Sequence, residues 1–179
     1  MQIIKEYPLI DEILIEYRNS LQADFERYKN HVYRVFNFAL FLLGGRTEDF
    51  DKLAITLAFH DLGIWTHQTF DYLDPSIEMA AEYLRKVNRS DWISEVSLMI
   101  DMHHKVTPYT GDFSNSVELI RIADLVDVSL GVYKFNIPEE FVKATQAEFP
   151  NLGFHSRLFQ LGLGNFFKTP FNPLPMFKK

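Results

Sequence analysis

The stretch DFERYKNHVYRVFNFALFLL, residues 24–43, decides the fold class. Its apolar residues recur at steps of three and four, the spacing of one face of an α-helix. They are Phe25, Tyr28, Val32, Val35, Ala39 and Leu42. Gly44 and Gly45 follow directly, and glycine often ends a helix. The stretch therefore predicts a long amphipathic helix.

Similar periodicity recurs along the chain, and strand-type alternation is absent from the sequence. Further helices are predicted from Thr47 to Gly63, from Asp74 to about Val87, from Ser90 to Ile100, from Ser114 or Ser116 to Gly131, from Pro138 to Glu148, and from Ser156 to Phe166. Ser, Thr and Asp at these starts are capping residues. Acidic residues follow Thr47 at Glu48, Asp49 and Asp51, where the helix dipole favours them. Pro170, Pro173 and Pro175 exclude a helix in the tail. The sequence predicts an all-α protein.

The 179 residues, 47% of them hydrophobic, suit one compact domain with a single core. No repeat or linker divides the chain. We expect a compact single-domain helical bundle over residues 1–179, with a helical extension and a proline-containing tail over about 137–179.

Charge and composition narrow the function classes. The formal charge of −6 argues against nucleic acid or an anionic membrane as the main partner. There is no cysteine, so any metal must be held by nitrogen and oxygen ligands. Acidic residues near the N-terminus argue against a signal peptide. The most apolar stretch, residues 36–43, is too short to span a bilayer, which needs about 20 residues. A cytoplasmic protein is therefore expected.

His31 is the first polar residue that the periodicity places on an apolar face. It lies three residues after Tyr28 and four before Val35. A lone buried histidine more often hydrogen-bonds a backbone carbonyl than binds a metal. His31 taken alone therefore favours a structural role.

His60 and Asp61 lie at the end of an apolar helix, three and four residues after Leu57. An ordinary C-terminal histidine with a solvated aspartate is the simpler interpretation. However, the helix dipole disfavours an aspartate in the last turn. A cation bound between the two side chains would compensate for it.

Asp124 lies on the apolar face of its predicted helix, four residues after Ile120. A carboxylate there is costly unless it is paired or binds a metal. Arg121 is the alternative partner, in a plain salt bridge. Asp127 is interpreted as the less buried neighbour, at the surface or behind the ligands.

Convergence of these polar side chains on one cation would explain all of them together. Two histidines and two aspartates suit Mn, Fe, Co, Ni or Zn, and ligand softness does not choose among these divalent ions.

The order His31, then His60 with Asp61, then Asp124, all on helices, resembles the HD-domain superfamily of metal-dependent phosphohydrolases. The letters HDLG at 60–63 are similar to the family's HD-x-G variant. The resemblance covers about residues 20–131. It implies that these four side chains are metal ligands and that Asp61 belongs to the catalytic machinery. The implied substrate is a small phosphorylated metabolite or nucleotide.

Other residues are candidates for the surroundings of the metal. Arg34, three residues after His31, is a typical companion in the family, and Arg34 and Lys105 are predicted to neutralise substrate phosphate, with solvated surface cations as the alternative. The spacing of His103 from Met99 places it on an inward face. His103 is predicted to be a catalytic proton donor or an extra metal ligand, and structural packing is the alternative.

Trp65 is predicted to form part of the wall of the substrate site. Phe70, Tyr72 and Tyr109 share that prediction, and His67, Asp71 and Asp74 are weaker acid or base candidates.

The chain departs from the family at two places. Ile64 stands where nucleotidase and alarmone-hydrolase branches have a glutamate, which makes those branches less favoured. Dinuclear members have a histidine about 20 residues after the HD pair, whereas this chain has the segment around Asp74. His103 and His104 do fill the place of a later ligand. A di-iron oxygenase and a non-catalytic metal-containing binding protein are the alternatives, and a homodimer is a further expectation.

Overall fold

The structure is a computed structural model that describes residues 2–44, 50–168 and 175–177, without the side chains of residues 164–168. Every regular element in these residues is helical, which confirms the all-α prediction. The helices are α1 Pro8–Glu16, α2 Arg18–Leu21, α3 Phe25–Leu43, α4 Phe50–Phe59, α5 Gly63–Thr66, α6 Leu73–Lys86, α7 Ile93–Met102, α8 Ser114–Val128, α9 Glu139–Glu148 and α10 Phe154–Lys168. Single 3₁₀ turns, Gln22–Asp24 and Ser90–Trp92, precede α3 and α7.

The helix α3 is the centre of the bundle. Every residue from His31 to Leu40 is buried, so this part of α3 is covered on all sides. It packs most extensively against α8 and also against α4. It ends at Gly44, whose left-handed φ of 70° is the conformation that glycine adopts readily. Polar side chains in this middle segment therefore have to find partners inside the protein.

The remaining helices surround α3 and α8. Helices α6 and α7 pack against each other, and α4 contacts both of them as well as α1. Helices α9 and α10 contact α3. Within the described ranges, no helix is both long enough and apolar enough to cross a membrane.

Several predicted helix boundaries shift. Helix α6 begins at Leu73, so Asp74 lies in its first turn and is not its N-cap. Ser90 opens a 3₁₀ turn, and α7 begins only at Ile93. Helix α1 was not predicted from the sequence. The predictions for Gly45, Thr47, Glu48, Asp49, Pro170 and Pro173 fall outside the described residues.

Gly63 was predicted to end a helix because it follows the HD pair, and this prediction is wrong. Helix α4 already ends at Phe59, and Gly63 begins α5. A Cβ atom on Gly63 would lie 2.5 Å from the backbone oxygen of Tyr72 and 3.0 Å from Ser76 Oγ. The glycine is required because α5 approaches α6 too closely for any side chain.

Candidate metal centre

Six polar side chains meet in the interior of the bundle, supplied by α3, by the ends of α4 and α7, and by α8. We call them the His/Asp cluster: His31, His60, Asp61, His103, His104 and Asp124. All except His104 are at most 3% exposed, and the side chain of His104 is 15% exposed. They come from four separate stretches of the chain, so the cluster forms only when the bundle packs.

His31 enters the cluster from the buried middle of α3. Its Nδ1 donates a hydrogen bond to Asp127 Oδ2 at 2.7 Å, so Nε2 is the nitrogen that faces the cluster. Asp127 also accepts from Arg34, whose Nε lies 2.5 Å from Oδ1 and whose Nη2 lies 2.9 Å from Oδ2. Asp127 therefore fixes the ring of His31 from behind, as carboxylates commonly do for metal-binding histidines.

His60 and Asp61 occupy the turn between α4 and α5. His60 Nδ1 donates to the carbonyl oxygen of Leu57 at 2.7 Å, which points Nε2 at His31 Nε2, 3.0 Å away. Asp61 Oδ2 lies 3.4 Å from the Nε2 of His60 and 3.6 Å from that of His31. The backbone N–H of Asp61 donates to the hydroxyl of Tyr28 at 3.3 Å. The turn thus aims both side chains at one point.

Asp124 completes this group from α8. Its Oδ1 lies 3.6 Å from His31 Nε2 and 3.9 Å from His60 Nε2. Donor atoms around an ion with bonds of about 2.1 Å are about 3.0–3.4 Å apart. The measured separations, 3.0–3.9 Å, are close to this spacing. His31, His60 and Asp61 therefore form a group that can close around one metal ion, and Asp124 Oδ1 lies beside the two imidazoles of this group.

His103 lies on the other side of Asp61. Its Nδ1 donates to the carbonyl oxygen of Ile100 at 2.6 Å, and its Nε2 lies 3.3 Å from Asp61 Oδ1. Asp61 therefore turns one carboxylate oxygen towards His31 and His60 and the other towards His103.

His104 shows the same arrangement towards Asp124. Its Nδ1 lies 3.4 Å from Asp124 Oδ2, while its Nε2 hydrogen-bonds the hydroxyl of Tyr72 at 2.8 Å. Asp61, His103 and His104 form a second group with the spacing of a metal site. The two carboxylates of the cluster thus connect two neighbouring groups of donors.

The charges of the buried groups leave a deficit of positive charge. Asp61, Asp124 and Asp127 are all buried, and Arg34 is the guanidinium that pairs with one of them. Full ionisation of the three carboxylates against this arginine leaves two negative charges, which protons on the cluster side chains or one divalent cation can neutralise.

The pKa values show the same deficit. Burial raises the pKa of Asp124 to about 7, because nothing in the protein fully compensates its charge. Burial alone would lower the pKa of His31, but Asp127 and Asp61 raise it to about 9. Burial lowers the pKa of His60 to about 3, so this ring stays neutral and ready to bind a metal.

Three buried atoms of the cluster have no hydrogen-bond partner among the described residues: Asp61 Oδ1, His103 Nε2 and Asp124 Oδ1. Unsatisfied buried polar atoms are rare in folded proteins and call for an explanation. A bound cation supplies one, and the nitrogen and oxygen donors fit a divalent metal ion.

A profile of the HD domain matches residues 28–129, which is more than half of the chain. The chain belongs to the HD-domain family. This is a superfamily of metal-dependent phosphohydrolases, and the matched range contains the whole His/Asp cluster. No curated protein and no solved structure gave a significant match to the chain.

Arg34 of this HD domain does not occupy the position expected of a phosphate ligand. It is 1% exposed, pairs with Asp127 through two nitrogens and donates through Nη1 to the carbonyl oxygen of Phe149 at 3.0 Å. The prediction that Arg34 binds or acts on substrate therefore disagrees with the structure, because all three guanidinium nitrogens already donate hydrogen bonds to Asp127 or to the Phe149 carbonyl oxygen.

Asp127 is 1% exposed and as buried as Asp124, so the prediction that it is the less buried of the two is wrong, but its contact with His31 Nδ1 agrees with the alternative that it lies behind the ligands. The salt bridge considered as the alternative for Asp124 is not formed by Arg121. Arg121 instead pairs with Glu118, with its Nε 2.5 Å from Oε1. Asp124 thus remains directed at the cluster.

Trp65 and Lys105 lie beside the HD-domain cluster. Trp65 packs on Tyr28, with ring centroids 4.9 Å apart, and its indole N–H donates to Asp24 at 3.1 Å. Lys105 follows His104 directly and is half-buried, and its backbone carbonyl accepts from Arg121 at 3.4 Å. Contact of either residue with substrate stays a prediction.

The weaker acid and base candidates are at the surface: His67, Asp71 and Asp74 are all exposed. None of them hydrogen-bonds or ion-pairs with a cluster residue in the described structure. Tyr72 does reach the cluster, through its hydroxyl on His104.

Sequence reasoning did not identify His31 and Arg34 as the partners of Asp127, and it gave His104 less weight than His103. One available signal was the matched spacing of Arg34 after His31 and of Asp127 after Asp124, three residues in both cases. Residues three apart share a helix face. Two packed helices with this spacing place the second pair together behind the first.

Proposed function

We propose that this HD domain is a metal-dependent phosphohydrolase that acts on a small phosphorylated metabolite or nucleotide. The proposal is carried by one observation: His31 Nε2 and His60 Nε2 face each other at 3.0 Å beside two buried carboxylates. Two ring nitrogens in this position need a positive ion between them. Family membership favours a metal ion over a proton.

His31, His60, Asp61 and Asp124 would hold the metal, and Mn, Fe, Co, Ni and Zn all suit this set of donors. When bound, such an ion polarises a phosphoryl group and lowers the pKa of its water towards neutrality. Asp127 holds the imidazole of His31 in the orientation that presents Nε2. The bond to Leu57 does the same for His60.

His103 is the residue we propose as the proton donor to the leaving group. Burial alone would lower its pKa, but the nearby Asp61 and Asp124 carboxylates raise it, which favours the protonated ring. Its Nε2 has no hydrogen-bond partner in the described structure and lies 3.3 Å from Asp61 Oδ1. This nitrogen is therefore free to hold a proton at the metal-facing side of the cluster.

Substrate would approach from the side of His104, the most exposed member of the cluster. Lys105 follows it in the chain, and its ammonium group is the proposed counter-charge for phosphate. Trp65 is proposed as an aromatic contact for the rest of the substrate.

The test combines metal analysis with activity. The metal content of the purified protein is measured by mass spectrometry, and the metal-loaded protein is assayed on phosphomonoesters, phosphodiesters and nucleotides. His60→Ala and Asp61→Ala are expected to lose both metal and turnover while the helical circular dichroism signal persists. His67→Ala and Asp71→Ala are matched controls on exposed residues and should retain both. Wild-type metal content in both cluster variants would contradict the ligand assignment.

A two-metal oxygenase is the second candidate, favoured by the group Asp61, His103 and His104. Two irons per chain, together with oxygen-dependent turnover and no phosphate release, would favour it. Stoichiometric metal without activity on any phosphate ester would instead indicate a non-catalytic metal-containing binding protein.

A further inference from the structure

A second polar site lies outside the His/Asp cluster. A cavity of about 530 Å³ opens where α2, the 3₁₀ turn Gln22–Asp24, α5 and α10 meet. No cluster residue lines it. Its volume falls in the range of small-molecule sites, which is about 300–1,000 Å³. We call it the Asp24 cleft, after the carboxylate at its base.

Asp24 is 5% exposed and is fully engaged. Its Oδ1 accepts from Arg27 Nη1 at 2.5 Å, and its Oδ2 accepts from Arg157 Nε at 2.9 Å and from Trp65 Nε1 at 3.1 Å. Burial alone would raise the pKa of Asp24, but the hydrogen bonds from Arg157, Trp65 and Arg27 lower it below its usual value. One carboxylate therefore holds two guanidinium groups, which leaves one positive charge in excess.

The two arginines still have donors available. Their side chains are 35% and 38% exposed, and Arg157 uses only Nε in its described hydrogen bonds, which leaves both Nη groups for a ligand. Arg27 is fixed further by its Nε, which donates to the carbonyl oxygen of Leu152 at 2.9 Å. Because Asp24 already orders both side chains, an anion that binds them loses little conformational entropy.

The rest of the lining suits an organic anion. Among the lining residues, Asp24 is the sole acidic one, although the chain carries a formal charge of −6. Gln22, Gln68 and Gln160 supply neutral amide groups. Trp65 and Phe70 supply aromatic surface on which a flat ring can pack.

We propose that the Asp24 cleft binds a small organic anion, with a phosphate or carboxylate group on Arg27 and Arg157 and a flat ring against Trp65. Guanidinium groups bind both kinds of oxyanion through paired N–H donors. The proposal goes beyond the proposed hydrolase function and does not depend on it, because Trp65 is the one residue that it shares with the proposed hydrolase site and it uses no residue of the His/Asp cluster.

The probe for this site is phenylphosphonate, an aromatic oxyanion whose carbon–phosphorus bond resists phosphatases. It is titrated into the 179-residue chain while the indole N–H signals of the two tryptophans are followed by nuclear magnetic resonance. The signal of Trp65 is expected to shift saturably and that of Trp92 to stay constant. Inorganic phosphate, which lacks the ring, should bind more weakly, and phthalate reports whether carboxylates are accepted too.

Arginine substitutions test whether phenylphosphonate binds in the Asp24 cleft. Arg157→Gln should weaken phenylphosphonate binding by about tenfold or more. Arg157→Lys keeps the charge but not the planar fork, and it should bind with intermediate affinity. Arg85→Gln removes an exposed arginine of α6 as a matched control and should leave binding unchanged.

Three results would overturn the proposal. One is a Trp65 signal that does not move at any phenylphosphonate concentration. Another is equal affinity in wild type and both Arg157 variants. The third is a Trp65 shift that occurs only together with shifts of the cluster histidines and disappears in Asp61→Ala, because binding would then occur at the metal centre.

Discussion

The His/Asp cluster and the Asp24 cleft are both built around buried carboxylates, but their charges are unbalanced in opposite directions. In the cluster, Asp61 and Asp124 retain acceptor oxygens that no described group satisfies. In the cleft, Asp24 is saturated by two guanidinium groups and an indole. The first region lacks a cation and the second has one positive charge to spare. Charge balance in a buried polar group thus indicates the sign of the ligand it would take.

The variant with the largest expected effect tests whether Asp127 stabilises the fold and orients His31 for metal binding. Asp127→Asn removes the charge that Arg34 and His31 share, and it leaves a buried guanidinium without its partner. We expect a loss of about 3–5 kcal/mol in the free energy of unfolding and about 10–100-fold weaker metal binding. Urea denaturation and metal titration measure the two effects.

The double variant Arg34→Met with Asp127→Asn separates these contributions. Stability should recover in part, because no charge is left unpaired, whereas metal affinity should stay low. Full recovery of metal affinity would show that Asp127 does not position His31.

The next largest effect is expected on stability, when the carboxylate of the Asp24 cleft is neutralised. Asp24→Asn should lower the free energy of unfolding at pH 7 by about 2 kcal/mol, through lost charge-assisted hydrogen bonds. The folded-state pKa of Asp24 lies below its usual value of 3.8, so its contribution is present above that value and is lost as the pH falls through the folded-state pKa. The difference between wild type and variant should therefore shrink below about pH 4. A difference that stays constant from pH 7 to acid would show that the charge of Asp24 is not stabilising.

A third prediction concerns the pH dependence of metal affinity. Without metal, the pKa of His31 is raised to about 9 and that of Asp124 to about 7, so the cluster holds protons at neutral pH. A metal ion must displace them, and affinity should rise by about tenfold per pH unit for each proton released. Calorimetry in buffers of different ionisation enthalpy counts these protons, and an affinity that is independent of pH would contradict the cation deficit.

The smallest effect tests whether the two regions are independent. Trp65 contacts Tyr28 on the cluster side and donates to Asp24 on the cleft side. Trp65→Phe removes the N–H donor and part of the buried ring, so we expect a loss of about 1–2 kcal/mol in the free energy of unfolding. Metal affinity should not change, and a clear decrease would show that the regions are coupled.

The sequence was sufficient where local periodicity decides structure. Steps of three and four predicted α3, and they also placed His31 and Asp124 on inward faces. It was not sufficient where a partner comes from another helix. Arg34 was predicted to neutralise substrate phosphate and Asp127 to lie at the surface or behind the ligands, and only the packing of α3 against α8 shows that they neutralise each other.

Different physical constraints fix different letters of the HDLG motif at residues 60–63, as the close approach at Gly63 shows. The fourth letter of HDLG is dictated by the backbone of Tyr72, whereas the first two letters supply the donors of the cluster. The helices could not meet at this distance with any side chain at residue 63. A change that removed the ligands would therefore leave the steric requirement for this glycine in place, because packing and metal binding constrain different letters of one motif.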